Sequence, residues 1–295
     1  MSPVCRLTRV PNTCYDALVT ADSEGKAGSS SAPSAGAREV RLFDTRFHAV
    51  TLERACAIIF DWIRSADETC RFVVTPNVDH VVRVRSNAAQ QAAYEAADLV
   101  VADGWPLVAV SRLFGSPLPE RVAGSDLVPA LMAKWDGPRP LRVFLLGAAP
   151  GVADTAAKKI VAQCPSVEVC GTYSPPFGFE QLPWENERIV ETVNAVRPDV
   201  IIVGFGAPKQ EIWLHAHADR LRAQAAIAAG GTIDFLAGEQ PRAPAWVRRI
   251  GMEWFHRLAS DPRRLAGRYL YDAWVFPQMV AKECWRRVIS KLHHS

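Results

Sequence analysis

The chain has 295 residues, 49% of them hydrophobic, and a formal net charge of +3. A chain of this length buries roughly three quarters of its unfolded surface, so it needs no staple; its seven cysteines are odd in number and never spaced C-x-x-C, which argues for a reducing cytoplasm and against a disulfide framework or a zinc site. No run approaches the ~20 apolar residues of a membrane-spanning helix, and the N-terminus lacks the apolar core of a signal peptide, so a soluble or peripheral protein is expected.

In chain order, residues 1–38 show no sustained periodicity and end near AGSSSAPSAGA, a small-residue tract that buries too little apolar area to offset its ordering entropy. A disordered tail is expected there. Val40–Phe43 reads as a first strand, and Thr51–Ile63 as an amphipathic helix that Thr51 can cap. Two short apolar runs follow, Phe72–Val74 and Leu99–Ala102, each directly before a polar loop: Thr75-Pro76-Asn77 and Asp103-Gly104-Trp105. Such runs, separated by helix-forming sequence, are what parallel strands buried on both faces look like. Pro106–Phe114 then reads as a helix with proline in its first turn.

The second half repeats the pattern. Strands are expected at Arg142–Leu146, Val167–Cys170, Val200–Val203 and Ala226–Ala229, and helices at Val152–Cys164 and Glu187–Val196. The result is an α/β fold: a Rossmann-like parallel sheet with helices on both faces over residues 39–240. Residues 241–295 change character. They hold 11 Lys and Arg against 4 Asp and Glu, and four of the nine tryptophans, Trp246, Trp254, Trp274 and Trp285. We read them as a basic, aromatic appendage of two or three helices.

In open α/β sheets ligands bind at the carboxyl ends of the strands, which makes the two polar loops a candidate site. Asp103 is their only carboxylate. An aspartate before glycine is by itself a common turn former, but Thr75 and Asn77 supply neutral hydrogen-bonding groups suited to sugar hydroxyls, and Arg121 a positive charge. That setting suits a general base. The loop from Gly204 to Gln210 follows a strand with Gly204-x-Gly206, which fits either a diphosphate approached by backbone N–H groups or a tight turn with a solvated Lys209. The third glycine of the dinucleotide fingerprint is missing, as is any Walker pattern. No Asp-x-Asp occurs, the one Asp-x-Glu (Asp22, Glu24) lies in the tail, and His215 and His217 point to different helix faces, so no metal site is expected. The appendage admits a solvated helix face, nucleic-acid binding or an anionic membrane surface, and its arginines suit a diphosphate equally well.

The series TPNVDHVV, ADLVVADGWPLV, PLPERVAGSDL, VFLLGAAPGVA, PDVIIVGFGAPKQEIWL, GGTIDFLAGEQPRAPAWV and GMEWFHRLASDPRRLAGRY resembles, in order and spacing, the WecG/TagA/CpsF family of bacterial glycosyltransferases (family twenty-six). The resemblance runs from about Val40 to Phe276. It implies an inverting, metal-independent transferase, without cofactor, that moves a sugar from a UDP-sugar to a polyprenyl-diphosphate-linked saccharide for surface or exported polysaccharide. The sugar in this family is N-acetylmannosamine, its uronic acid or glucose. Asp103 falls on the family's base, and Thr75, Asn77, Arg121 and Gln210 on substrate contacts. Arg257 and Arg264 fall on appendage arginines that close over the donor diphosphate. Gly267 stands where a third is expected, and Arg268 follows it. The expected partners are the UDP-sugar, the lipid-linked acceptor and the inner face of the cytoplasmic membrane, with a homo-oligomer left open and no nucleic acid. Two other classes compete. A nucleotide-sugar epimerase or dehydrogenase is disfavoured by the incomplete glycine fingerprint and the lack of Tyr-x-x-x-Lys, and a nucleic-acid-binding module would rest on the basic tail alone.

Overall fold

The computed structural model describes residues 37–65, 67–240, 253–260 and 262–292; within the last two segments some side chains, those of Arg257 and Arg264 among them, are not described. The expected tail, residues 1–38, lies almost wholly outside the described residues, as does the start of the appendage, residues 241–252.

The first two strands, β1 (Glu39–Leu42) and β2 (Thr45–His48), form an antiparallel hairpin outside the main sheet. Its two-residue turn, Phe43-Asp44, takes positive φ at both positions (52° and 66°), the geometry that matches strand twist. Phe43 holds this conformation while packing edge-on against Phe114 and Phe276, with ring centroids 5.6 and 5.4 Å away. The hairpin covers the edge of the main sheet, where His48 Nδ1 accepts the backbone N–H of Val100 at 2.9 Å. That is one of the standard ways to shield an unpaired strand edge.

Six strands form the main sheet: β3 (Arg71–Val74), β4 (Leu99–Val100), β5 (Leu141–Gly147), β6 (Val167–Tyr173), β7 (Val200–Gly204) and β8 (Ala225–Ala228). All neighbours pair in parallel, in the order β4-β3-β8-β7-β5-β6. Alternate strand residues enter two cores. Val73, Leu99, Ile202 and Ile227 pack with α1 (Leu52–Ser65), α5 (Gly124–Lys134), α6 (Val152–Gln163) and α9 (Thr232–Ala237). Phe72, Val74, Ile201 and Val203 pack on the other face with α2 (Val78–Val84), α3 (Ala88–Ala96), α4 (Trp105–Leu113), α7 (Pro183–Val196) and α8 (Lys209–His217). The uninterrupted apolar runs in the sequence thus correspond to strands covered on both sides.

Two helices of the appendage are described, α10 (Glu253–Ser260) and α11 (Pro262–Leu292). The helix expected near Lys282–Leu292 is the end of α11, and Met279 of α11 joins the second core. Among the described cysteines Cys56, Cys70, Cys170 and Cys284 are free, and burial pushes the thiols of Cys56 and Cys70 up to about 12, so they are inert. Among the described residues no helix is long and apolar enough to cross a membrane.

Topology decides where the site lies. From β3 the chain moves outward to β4, whereas β8 is reached from β7 on its other side. Connections therefore diverge between β3 and β8, and a crevice opens at their carboxyl ends.

Candidate active site

Four loops meet at that crevice: Thr75–Asn77 after β3, Ala102–Gly104 after β4, Phe205–Pro208 after β7 and Ala229–Gly231 after β8. Asn77 caps α2, its Oδ1 accepting the His80 N–H at 3.2 Å, which leaves the amide nitrogen to face outward. Thr75 is buried and donates its hydroxyl proton to the Ala228 carbonyl at 3.2 Å, so β3 and β8 are joined at the mouth of the crevice. The N–H of Asp103 donates to the Pro76 carbonyl at 2.9 Å and holds the β4 loop to the β3 loop.

Asp103 stands just before the first turn of α4, where the helix dipole favours a carboxylate. Its side chain is 26% exposed, and Arg121 Nη1 approaches Oδ1 at 3.5 Å. Arg121, only 13% exposed, also pairs with Asp126 at the start of α5. The predicted substrate arginine is therefore a bridge between two carboxylates. Gln210 is likewise committed: Oε1 accepts the Gly230 N–H at 3.1 Å, and Nε2 donates to Glu211 at 2.9 Å, which clamps the β7 loop to the β8 loop.

The glycine loop is built for close approach. A Cβ on Gly204 would stand 3.0 Å from the Gly230 carbonyl oxygen and 3.0 Å from Ile233, and Gly206 has a positive φ of 79°. Lys209 does not enter the crevice. It pairs with Glu180 at 3.0 Å and lies 5.2 Å above the ring of Phe177.

Two cavities share this site. A polar one of about 600 Å³ is lined by Thr75, Ser125, Gly206, Gln210, Gly230 and Asp234, among others. A second, of about 370 Å³, lies against α11 between aromatic side chains, including Trp105, Trp254, Tyr269 and Phe276. Asn77, Asp103 and Arg268 line both, and so form the neck that joins them. The structure thus brings together Thr75, Asn77, Asp103, Gly204, Gly206, Gln210 and Arg268. Arg257 and Arg264 fall on α10 and α11, and their side chains lie outside the described residues.

Where α11 meets α2, Arg268 lies 3.8 Å from Asp79, which also binds Arg83 at 2.5 Å. Asp272 of α11 is buried beside this pair, with no partner for Oδ1 among the described residues. Burial and the neighbouring Asp79 carboxylate push its pKa up to about 6. Among the described residues no group of three or more His, Cys, Asp or Glu could hold a metal ion.

Sequence reasoning missed the aromatic cavity, because Trp105 and Phe276 are far apart in the chain, and it left Arg268 unassigned. The one available signal was the displaced arginine after Gly267.

The chain is 32% identical over 193 residues to the N-acetylglucosaminyldiphosphoundecaprenol N-acetyl-beta-D-mannosaminyltransferase of Bacillus spizizenii, covering 65% of this chain and 72% of that protein. It is 30% identical over 194 residues to the Staphylococcus aureus enzyme of the same name, covering 66% and 74%. Residues 40–289 match the family described as the glycosyl transferase WecG/TagA/CpsF family, and with that span covered the chain is a member of this family.

Proposed function

We propose that the protein is an inverting hexosyltransferase that moves N-acetylmannosamine from UDP to the sugar of a polyprenyl-diphosphate-linked N-acetylglucosamine; the transferred sugar and the acceptor are those in the names of its relatives. The observation that carries the reading is the position of Asp103 at the neck between a polar and an aromatic cavity. The polar side suits the sugar nucleotide, since the glycines at 204, 206, 230 and 231 line it and let a diphosphate approach the backbone closely. The aromatic side suits the acceptor, since sugar faces and isoprenoid chains both pack on such rings.

In this reading Asp103 takes the proton of the acceptor hydroxyl as its oxygen attacks the anomeric carbon. The new C–O bond forms on one face of the sugar, the bond to UDP breaks on the other, and the electron pair leaves on the diphosphate. A base in this position contributes about 10²–10⁴-fold. Arg121 orients Asp103 and stabilises its charge before transfer. The charge that develops on UDP falls to Arg268, with Arg257 and Arg264 assigned to the same task and no metal or cofactor required.

The appendage meets the membrane in this account. Tyr271, Trp274, Trp285 and Ile289 recur at helical spacing on the exposed side of α11, Trp274 with 73% of its surface free, and Arg263, Lys282 and Arg286 are also exposed. An aromatic stripe flanked by basic residues is what an interfacial helix presents to anionic lipid. The protein then sits on the inner face of the cytoplasmic membrane, where its acceptor is held.

The test is a panel of UDP-sugars with a lipid-linked N-acetylglucosamine acceptor. Transfer of N-acetylmannosamine with release of UDP is expected; transfer of another hexose alone would replace the donor, and no transfer from any of them would reject the reading.

A further inference from the structure

One ionisable group in the polar cavity is used by none of these steps. His80 stands one turn beyond Asn77 on α2, and its ring lines the polar cavity but not the aromatic one. Nδ1 lies 2.9 Å from the Tyr94 hydroxyl, and Gln90 Nε2 donates to that same oxygen at 3.0 Å. With Gln90 donating to the phenol oxygen, we assign the phenol proton to the bond with Nδ1, an assignment that puts the imidazole proton on Nε2. Tyr94 and Gln90 are both almost wholly buried, so the ring has a rigid support. No described residue hydrogen-bonds Nε2, which is the polar atom the ring offers to the cavity.

The surrounding charges narrow what Nε2 can bind. Glu211 of α8 is fully buried, with one oxygen on Gln210 and none of the described residues on the other. Glu211 and Asp79 favour a charged ring, Arg268 and Arg83 oppose it, and burial outweighs them all, holding the pKa of His80 below its ordinary value. At neutral pH the ring is a neutral N–H donor backed by two carboxylates. A phosphate is poorly served there, whereas a hydroxyl or acyl oxygen is well served. The next residue back on the same face, Asn77, lines the neck with Asp103, where the reacting sugar has to lie.

We propose that His80 is a specificity residue for the donor, its Nε2–H donating a hydrogen bond to a hydroxyl or acyl oxygen of the transferred sugar. The inference rests on the glycosyl-transfer reading above. Tyr94 and Gln90 are positioning residues that fix the tautomer.

The experiment is steady-state kinetics with the UDP-sugar for the wild type, His80→Ala, His80→Gln and Tyr94→Phe, beside a titration of each with UDP alone. His80→Ala raises KM for the UDP-sugar about tenfold, the loss of about 1.4 kcal/mol expected of one neutral hydrogen bond, while kcat and UDP affinity stay within about twofold. His80→Gln, with an amide donor in reach, recovers part of the loss. Tyr94→Phe keeps the ring but frees its tautomer and raises KM roughly threefold; it reads the same bond should His80→Ala fail to fold. An active His80→Ala enzyme with unchanged KM overturns the proposal, as does one in which UDP alone loses affinity to the same extent. A wild type that turns over no UDP-sugar overturns the glycosyl-transfer reading as well, so the two failures are told apart.

Discussion

The carboxylate of Asp103 and the guanidinium of Arg121 face each other at 3.5 Å, and Arg121 pairs at the same time with Asp126 at the start of α5. One nearly buried cation thereby fixes the candidate base to the helix that forms the next wall of the site. The Asp103 N–H on the Pro76 carbonyl, at 2.9 Å, fixes it from the other side.

Replacing Arg121 by Gln removes the cation between two carboxylates. Stability falls by about 3 kcal/mol, as for other broken buried ion pairs, and turnover falls about 10- to 100-fold because Asp103 loses its orientation. Arg121→Lys keeps the charge but not the two-pronged geometry and lies between. Urea denaturation and initial rates measure both; a Gln variant as stable and active as the wild type would show that the bridge is incidental.

Arg268→Ala tests the neck from the appendage side. Affinity for UDP drops about tenfold or more, since a charge-assisted hydrogen bond contributes roughly 1.5–3 kcal/mol. Binding of UDP by calorimetry, with a salt series to expose the ionic component, is the measurement. Undiminished affinity would leave the diphosphate to other groups.

These two arginines mark the limit of what the sequence allowed. The strands were legible because both faces of each are covered, which makes them unbroken apolar runs, and the loops after β3 and β4 were legible because such runs end at their ligand-facing edge. The hairpin partner β2 escaped notice because its turn, Phe43-Asp44, carries no glycine or asparagine. Arg121 and Gln210 line the crevice, yet their bonds to Asp126 and Gly230 belong to the fold and cannot be read from spacing. Arg268 lines the same neck as Asp103 although more than 160 positions of chain separate them, a juxtaposition that only the docking of α11 on α2 creates.

The same docking carries a pH dependence. The folded protein keeps the Asp272 proton up to about pH 6, whereas an unfolded aspartate holds it only to about pH 4. Stability from this group is therefore present at low pH, is lost as pH rises from about 4 to 6, and stays lost above that. Asp272→Asn, which keeps a donor toward Asp79 at every pH, raises Tm at pH 7 by about 2–4 °C, an effect on the order of 1 kcal/mol, and does little at pH 4.5. Equal shifts at both pH values would contradict the raised pKa.

Binding to vesicles follows from the exposed face of α11. The double variant Trp274→Ser, Trp285→Ser loses most of its co-sedimentation with anionic vesicles, while UDP affinity and thermal stability remain near wild type because neither side chain is buried. Retention of full vesicle binding would move the membrane contact elsewhere.

The most direct test of the account compares the wild type with Asp103→Asn for transfer of N-acetylmannosamine from UDP to the lipid-linked acceptor. Asparagine matches the shape of aspartate but cannot accept the acceptor's proton, so kcat should fall about 10²–10⁴-fold with UDP affinity changed less than about threefold. Equal turnover in the two proteins would remove Asp103 as the base, and with it the assignment of the neck as the place where the two substrates react.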